Sequence, residues 1–237
     1  MRIVCLSDTH NRTDGLVVPE GDLLLHAGDL TGQGSEEEVA RAARWLARLP
    51  HPAKVVVAGN HDFLFQRDPA KARSILSRVP GLTYLEDTGA VVAGLSIHGS
   101  PWQPWFYDWA FNLERDGEEL ARVWAQVPAG VDVLLTHSPP HGILDRTLDG
   151  QPVGCERLTA ALERIHPRLH VFGHIHEAAG TLTVGSTQFV NASVLDAHYR
   201  PGAAPVVVEL EVGAGPDRPT PPSPAAGARG PSSPRSP

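Results

Sequence analysis

Cysteine is nearly absent from this chain, aromatic residues make up only 6% of it, and long apolar runs are missing. The two cysteines, Cys5 and Cys155, are too few for a disulfide framework and form no Cys-x-x-Cys pair. No stretch approaches the ~18 consecutive apolar residues of a membrane-spanning helix. The sequence opens with Met1-Arg2 and lacks the apolar region of a secretory signal peptide. We therefore expect a cytoplasmic protein that has no membrane partner.

An excess of positive charge is also lacking. The formal net charge is -7 at pH 7, and no basic stripe interrupts the acidic balance. Proteins that follow a polynucleotide backbone neutralise its phosphates with lysine and arginine. We therefore expect no polynucleotide partner. A small anionic substrate is compatible with this charge if the positive charge at the site comes from another source.

The organisation of the chain predicts one α/β domain over residues 1–212, because short apolar runs alternate with helical patterns. Residues 2–6, 22–26 and 54–58 read as strands. Ser35 and Glu38 form an S-x-x-E capping box at the start of a helix over 35–49. From residue 213 the composition changes to Pro, Ser, Ala, Gly and Arg. This predicts a disordered tail over 213–237.

Five predicted strands each end in a short motif that contains Asp, Asn or His. In open α/β sheets ligands bind beyond the carboxyl ends of the strands, so these motifs are expected to converge. Imidazoles, carboxylates and an amide oxygen suit Mn²⁺, Zn²⁺ or Fe, and the lack of thiolates argues against a structural zinc site. The candidate residues are Asp8, His10, Asp29, Asn60, His61, Asp62, His137, His174 and His176.

Chance does not account for this set of motifs. An isolated histidine is more often a core or surface residue than a ligand, and a lone D-x-H pattern means little. An exact Gly-Asn-His-Asp tetrad, however, arises by chance on the order of once per thousand chains of this length. Here it stands in order with four other motifs, each at the end of a predicted strand.

The ordered motifs resemble those of the calcineurin-like metallophosphoesterases, whose pattern is D-x-H, GD, GNH(D/E), H and GHxH. The tryptophan-rich segment over 102–109, the Pro-Pro-His-Gly-Ile-Leu-Asp stretch at 139–145 and the Val-Asn-Ala-Ser stretch at 190–193 resemble the class III cyclic-nucleotide phosphodiesterases and, more closely, metallophosphoesterase-domain-containing proteins. The resemblance covers residues 1–211. It implies a four-layer αββα sandwich, in which two packed mixed β-sheets are flanked by helices, and it suggests a homodimer.

The same resemblance implies a dinuclear centre with Mn²⁺, or with Fe, Zn²⁺ or Mg²⁺. One ion would be bound by Asp8, His10, Asp29 and His176, and the second by Asp29, Asn60, His137 and His174. His61 would face the scissile phosphate as a general acid or as a charge stabiliser, and Asp62 would orient His61. A hydroxide that bridges the ions would attack the phosphorus atom.

A cluster of aromatic residues between positions 102 and 111 is the second notable feature. It could form a wall for a nucleobase or an aryl leaving group, with Trp102 and Trp105 as the contacts. Packing on the sheet edge and a partner surface are the alternative interpretations. His141, four residues after His137, is a further candidate for the mouth of the site.

These features favour a metal-dependent phosphoric ester hydrolase that acts on a small phosphodiester, a cyclic nucleotide or a related ester. A phosphomonoesterase or a nucleotide pyrophosphatase would use the same centre. A nuclease fits the acidic charge less well. A scaffold without catalysis would be expected to lose ligands or His61, and all of them are present.

Overall fold

The structure is a computed structural model that describes residues 1–213. The predicted tail lies outside the described residues, apart from Gly213. The strands are β1 (Arg2–Leu6), β2 (Leu23–His26), β3 (Ala53–Val56), β4 (Leu82–Tyr84), β5 (Thr88–Val92), β6 (Leu95–Ser100), β7 (Gln103–Pro104), β8 (Asn112–Leu113), β9 (Val133–Thr136), β10 (Leu169–Phe172), β11 (Gly180–Val184), β12 (Thr187–Asn191) and β13 (Val206–Glu209). The α-helices are α1 (Glu36–Arg48), α2 (Phe63–Arg67), α3 (Pro69–Leu76), α4 (Glu118–Ala125) and α5 (Glu156–Ile165).

The strands form two large mixed sheets and one short pair. The first sheet has the order β13-β1-β2-β3-β4, and the second has the order β11-β12-β10-β9-β6-β5. In the first sheet β13 is antiparallel to β1 and the other pairs are parallel. In the second sheet β5 and β11 are the antiparallel edge strands. The central strands of each sheet are therefore parallel, and their carboxyl ends meet at one edge.

Three apolar cores define four layers. Alternate residues of β1 point to opposite faces, so Val4 and Leu6 pack under α1, α2 and α3, while Ile3 and Cys5 pack against the second sheet. A third core lies between the second sheet and helices α4 and α5. The predicted αββα fold class is therefore confirmed. No helix within residues 1–213 is long and apolar enough to cross a membrane.

The first helix forms where its capping signal predicts it. The Ser35 hydroxyl accepts a hydrogen bond from the main-chain N of Glu38, and the Glu38 carboxylate accepts one from the main-chain N of Ser35. This reciprocal arrangement satisfies two donors at the start of α1. Val39 and Leu46 lie on the buried face of the helix. The helix thereby covers the outer face of the first sheet.

Helix α2 and strand β4 differ from the sequence-based expectation. Helix α2 (Phe63–Arg67) was not predicted, because five residues are too few to show a helical period. The alternating pattern over residues 83–98, broken by Gly89 and Gly94, predicts hairpins, but strand β4 in this region pairs in parallel with β3. Only β5 and β6 form the expected hairpin. The parallel pairing of β4 depends on α2 and α3, which provide the crossover.

The two large sheets join at the carboxyl ends of β1 and β12. The main-chain N of Ser7 donates to the carbonyl of Ala192 at 2.8 Å, and the main-chain N of Val194 donates to the carbonyl of Ser7 at 3.2 Å. An isolated parallel bridge pairs Ser7 with Ser193. The junction is therefore one residue away from the Asp8-x-His10 motif.

Candidate metal centre

The predicted ligands follow strands of both sheets and meet next to the sheet junction. Most of them are buried, although their side chains are polar. Buried polar groups of this kind require partners that replace water. The structure brings together all of the predicted ligands, which are Asp8, His10, Asp29, Asn60, His137, His174 and His176.

Four of these residues have a left-handed backbone conformation. The φ angles are 57° for Asp8, 43° for His10, 53° for Asp29 and 69° for His174. Residues other than glycine rarely occupy this region, and such conformations concentrate at functional sites. Each turn reverses the chain soon after a strand and directs a polar side chain into the crevice. The surrounding contacts must hold these turns in place, because the backbone alone does not favour them.

Two glycines allow the ligand-bearing turns to approach one another. A Cβ atom on Gly59 would meet the Oδ1 atom and the main-chain N of Asp29. A Cβ atom on Gly173 would meet the Oδ2 atom of Asp8 and the hydroxyl of Ser7. Any larger residue at either position would therefore move a carboxylate of the cluster.

A first group of ligand atoms comes from Asp8, His10 and His176, and these atoms lie within 4.8 Å of one another. His176 Nε2 is 3.5 Å from Asp8 Oδ1. His10 Nε2 is 3.5 Å from Asp29 Oδ2. Ligands bound about 2.1 Å from one ion lie roughly 3.0–3.4 Å apart. The measured separations are close to those of neighbouring ligands on a shared ion.

A second group comes from Asp29, Asn60, His137 and His174. Asn60 Oδ1 is 2.8 Å from His137 Nε2 and 2.9 Å from His174 Nδ1. Asp29 Oδ2 is 3.6 Å from His137 Nε2. Since the same Oδ2 atom is near His10, the Asp29 carboxylate lies between the two groups and reaches both.

The hydrogen bonds of the histidines fit a metal centre. His10, His137 and His176 each donate Nδ1–H to a main-chain carbonyl oxygen. In a neutral imidazole this leaves a lone pair on Nε2, as in metal-ligating histidines. Among residues 1–213, the buried Nε2 of His10 has no hydrogen-bond partner. The Nε2 of His137 faces a second acceptor, Asn60 Oδ1. A cation would satisfy these atoms.

The electrostatics of the cluster also favour the binding of cations. Burial and the carboxylate of Asp8 raise the pKa of Asp29 well above 3.8. Burial also opposes ionisation of Asp8, but His176 holds the pKa of Asp8 well below 3.8. Burial lowers the pKa of His10 to about 3 and that of His137 to about 4. Burial disfavours the charged form of His176, but the carboxylate of Asp8 raises the pKa of His176 to about 9. Divalent cations would displace this proton and stabilise the cluster of imidazoles and crowded carboxylates.

His61 lies beside this cluster and is hydrogen-bonded through both its main chain and its ring. Its main-chain N donates to Asp29 Oδ1 at 2.8 Å, and its Nδ1 donates to the carbonyl of Gly32 at 2.7 Å. One of its ring nitrogens lies within 4.8 Å of the ligand atoms of His10 and Asp29. Burial lowers the pKa of His61. Because Nδ1 is occupied, Nε2 is the ring nitrogen available to a ligand.

The Asp62 carboxylate makes no hydrogen bond to the His61 ring within residues 1–213, so its role in orienting His61 stays a prediction. The Asp62 carboxylate instead accepts hydrogen bonds from the main-chain N atoms of Leu30, Thr31 and Gly59 and from the Thr31 hydroxyl. A fully buried carboxylate needs several hydrogen-bond donors in place of water. The donors to Asp62 come from the turns after β2 and β3. Asp62 therefore ties two ligand-bearing turns together.

The Val-Asn-Ala-Ser stretch also supports the cluster. The Ser193 hydroxyl donates to Asp8 Oδ2 at 2.5 Å. Asn191 Nδ2 donates to the carbonyl of Ile175 at 2.8 Å. These bonds fix one carboxylate and the backbone between His174 and His176. Ser193 stands in a stretch that carries the family resemblance, but nothing in the sequence indicated that its hydroxyl would bind Asp8.

A cavity of about 340 Å³ opens above the cluster. Asp29 and His61 lie at its floor, and Trp105 and Tyr199 lie on its walls. Among residues 1–213, Arg115 is the one lysine or arginine that lines it. The cavity therefore combines a polar floor with aromatic walls and has the size of a small-molecule site.

Of the residues predicted to contact substrate, the structure brings Trp105 to this cavity. Trp102 is half-buried, and its indole Nε1–H donates to the Asp87 carboxylate at 2.7 Å. Its ring packs edge-on against Phe111. His141 is half-buried and is not among the residues that line the cavity. The packing interpretation therefore fits Trp102.

Tyr199 and Trp109 lie near the cluster and were not among the predicted site residues. Tyr199 makes edge-on ring contacts with His10 at 4.9 Å and with His176 at 5.3 Å. It lies in an irregular segment, where no pattern distinguishes it. Trp109 stacks on His61 with ring centroids 4.0 Å apart. Its place in an aromatic-rich segment was visible, but nothing in the sequence indicated which ring would reach the site.

Comparisons with known proteins agree with this geometry. A family model described as calcineurin-like phosphoesterase matches residues 1–178. Metallophosphoesterase domain-containing protein 1 of Homo sapiens is 44% identical over 231 residues, which cover 88% of this chain and 71% of that protein. A probable cyclic nucleotide phosphodiesterase of Synechococcus sp. is 29% identical over 163 residues, which cover 66% of this chain and 58% of that protein. The crystal structure of TT1561 of Thermus thermophilus has a TM-score of 0.58 at 15% identity, over 80% of this chain and 88% of that chain, and shares the fold.

Proposed function

Because this chain belongs to the calcineurin-like phosphoesterase family, we propose that it hydrolyses a small phosphodiester, a cyclic nucleotide or a related ester, at a dinuclear metal centre. Membership of the family makes it a metal-dependent phosphoric ester hydrolase. The proposal concerns the substrate class, the ligand set and the role of each residue. The observation that carries it is the convergence of two ligand groups on the single carboxylate of Asp29.

A singly charged diester suits the cavity better than a doubly charged monoester. Arg115 is the one lysine or arginine lining the cavity in residues 1–213, and its guanidinium already donates to the Gly154 carbonyl and the Glu156 carboxylate. Little cationic side-chain charge is left for a second phosphate charge. The aromatic walls offer an apolar surface to the ester group. The relative named as a probable cyclic nucleotide phosphodiesterase supports the same substrate class.

The donor set assigns the ligands of two ions. Asp8, His10, Asp29 and His176 would hold the first ion, and Asp29, Asn60, His137 and His174 would hold the second. Nitrogen and oxygen donors without thiolate suit Mn²⁺, which we propose as the metal, ahead of Fe, Zn²⁺ and Mg²⁺. When bound, two divalent ions lower the pKa of water and polarise the phosphoryl oxygens.

The residues of the chain supply orientation and charge. The two carboxylates, Asp8 and Asp29, neutralise only part of the charge of two divalent ions, so the site remains attractive to an anion. His61 faces the cavity with Nε2, because its Nδ1 is bound to the Gly32 carbonyl. In the protonated form His61 would donate from Nε2 to a phosphoryl oxygen or to the leaving oxygen. General acid catalysis of this kind contributes ~10²–10⁴-fold.

Hydrolysis of bis(p-nitrophenyl) phosphate beside p-nitrophenyl phosphate tests the proposal. The protein is stripped of metal with a chelator and reconstituted with Mn²⁺, and metal content is measured in parallel. We expect cleavage of the diester that depends on Mn²⁺ and is lost in Asp29→Ala. Asp132→Asn is the matched control, because this buried carboxylate lies at the opposite end of β9 from the site.

The outcomes separate the alternatives. Diester cleavage that survives Asp132→Asn but not Asp29→Ala supports the proposal and justifies a screen of cyclic nucleotides. Cleavage of the monoester alone would replace the diester with a monoester as substrate. If the protein binds two ions but cleaves neither ester, the diester proposal is contradicted. The enzyme would then act on a narrower range of substrates than these two esters represent.

A further inference from the structure

We propose that Trp109 is a positioning residue that fixes the plane of the His61 imidazole. The inference rests on the proposed function and deepens it, because it assigns a support to the residue that faces the phosphate. The two ring centroids are 4.0 Å apart and the ring planes make an angle of 30°. A separation this short places the indole in face contact with the imidazole.

The contacts of His61 explain why such a support is needed. A hydrogen bond to the Gly32 carbonyl fixes one atom of the ring, Nδ1. It leaves the ring free to tilt about that atom, since the terminal torsion of histidine has a broad energy minimum. Tilting would move Nε2 away from the phosphate. The flat face of Trp109 restricts this motion, and the edge of His10, at 4.5 Å and 85°, limits it from a second direction.

Trp109 can act in this way because its backbone is tied to the same turn as His61. The main-chain N of Ala110 donates to the carbonyl of Asn60 at 3.0 Å, and the main-chain N of Phe111 donates to the Gln66 side chain at 3.1 Å. These bonds set the register of the aromatic segment against the segment that carries His61. The backbone that carries Trp109 is therefore held against the segment that carries His61.

A role in the core alone does not account for Trp109. The side chain is only half-buried. Besides His61 it contacts Phe63, and it lines a shallow, open cavity with Gln33, Arg67 and Asp108. Tryptophans that stabilise a core are enclosed by apolar side chains, as Trp124 is at 1% exposure. Removing the indole of Trp109 would thus take away the face contact with His61 without opening one of the three apolar cores.

Nuclear magnetic resonance of the histidine rings tests the geometry without reference to activity. Protein labelled in histidine is studied in the Mg²⁺-loaded or metal-free state, and the His61 signals are assigned as those missing in His61→Ala. The indole face shifts the ring protons of His61 upfield. We expect this shift to disappear in Trp109→Leu and to be partly retained in Trp109→Phe. Tyr107→Leu, an exposed residue of the same segment, is the control.

A double-mutant cycle tests the consequence for catalysis. Trp109→Leu should lower kcat for the diester about 10-fold and change KM less than about 3-fold, because misdirected protonation affects the transition state. Trp109→Phe should restore most of kcat. In a His61→Ala background, Trp109→Leu should have no further effect on kcat, since its role is exerted through His61.

The results overturn the inference in two ways. Unchanged His61 ring shifts in Trp109→Leu would show that the indole does not hold the ring. If Trp109→Leu lowers kcat by a further factor of about 10 in the His61→Ala background, Trp109 acts on the substrate or on the fold instead. If the wild-type protein cleaves no ester, the proposed function fails, and the ring shifts still decide whether Trp109 positions His61.

Discussion

The two sheets make unequal contributions to the cluster. The first sheet supplies both carboxylates and the amide, on the turns after β1, β2 and β3, while the second supplies only imidazoles, on the turns after β9 and β10. The turns of the first sheet are tied to one another by the carboxylate of Asp62. The turns of the second sheet are tied to the first by Asp8, which accepts hydrogen bonds from the main-chain N of His174 and from Ser193.

The first sheet thus supplies the negative charge of the site, and the second sheet closes the site around the cations. The first sheet carries the negative charge that attracts cations, and the Asp62 carboxylate ties its turns together. The second sheet completes the coordination with neutral donors and does so only when the sheets are joined. Variants at the carboxylates and at the junction should therefore fail in different ways.

The largest effect is expected for Asp8→Asn. The substitution keeps the shape of the side chain but removes a charge from the first group of ligands. We expect diester hydrolysis to fall by about 10³-fold or more, together with loss of the first ion, because a metal site depends on the charge of its ligands. Steady-state kinetics and the metal-to-protein ratio measure it. A loss of less than about 10-fold with both ions retained would contradict the assignment of Asp8 as a ligand.

Gly173→Ala tests whether the contact between the two sheets controls metal binding, and it does so without removing a ligand. The added Cβ would meet the Asp8 carboxylate and the Ser7 hydroxyl, so it should separate the two sheets at the site. We expect affinity for both ions to fall about 100-fold, with a lower melting temperature. Gly89→Ala is the control, since a Cβ there makes contacts of 3.4 and 3.6 Å. Normal metal titration curves for Gly173→Ala would show that the junction does not control the site.

Ser193→Ala is a milder break at the same junction. It removes the hydroxyl that donates to Asp8 Oδ2 and leaves the main-chain bonds of the junction in place. Loss of a partner that orients a ligating carboxylate costs roughly 10–100-fold in metal affinity. Isothermal titration with Mn²⁺ measures this change. Ser193→Thr keeps a hydroxyl and should retain more of the affinity than Ser193→Ala.

The smallest effect concerns two equivalent buried histidines, one in each large sheet: His26 in β2 and His170 in β10. His26 bonds to Thr9 and His170 bonds to Thr136, each through Nε2 and each fully buried. Burial lowers the pKa of His170 from 6.5 to about 3. The folded protein therefore resists a proton that the unfolded chain accepts, and stability is lost as the pH falls from 6.5 towards 3.

His170→Leu should remove this contribution to the pH dependence. Relative to the variant, the wild type should lose about 1.4 kcal/mol of unfolding free energy for each pH unit below 6.5. Thr136 keeps its hydrogen bond to the Ser138 carbonyl in the variant. Denaturant unfolding of metal-free protein at pH 7, 6 and 5 measures the difference. Parallel stability curves for the two proteins would contradict a neutral, buried His170.

Much of the fold and of the candidate site could be predicted because local signals were strong. The hydrophobic pattern predicts a helix over 156–165 and a strand over 169–172, and helix α5 (Glu156–Ile165) and strand β10 (Leu169–Phe172) have these bounds. The ligands stand directly after strands, so the rule for parallel sheets places them together. Trp102, Trp109 and Asp62 could not be assigned in this way, because each depends on which long-range partner its side chain meets.

By itself the sequence determined the ligand types, their order and their position after strands, since these depend on residue identity and on a local periodicity. Only the tertiary structure decided that β1 and β12 join at Ser7, that the Asp29 carboxylate reaches both ligand groups, and that Trp109 covers His61. These arrangements arise from the packing of two sheets through a shared apolar core. Packing of that kind joins residues more than a hundred positions apart, and no local pattern in the chain records it.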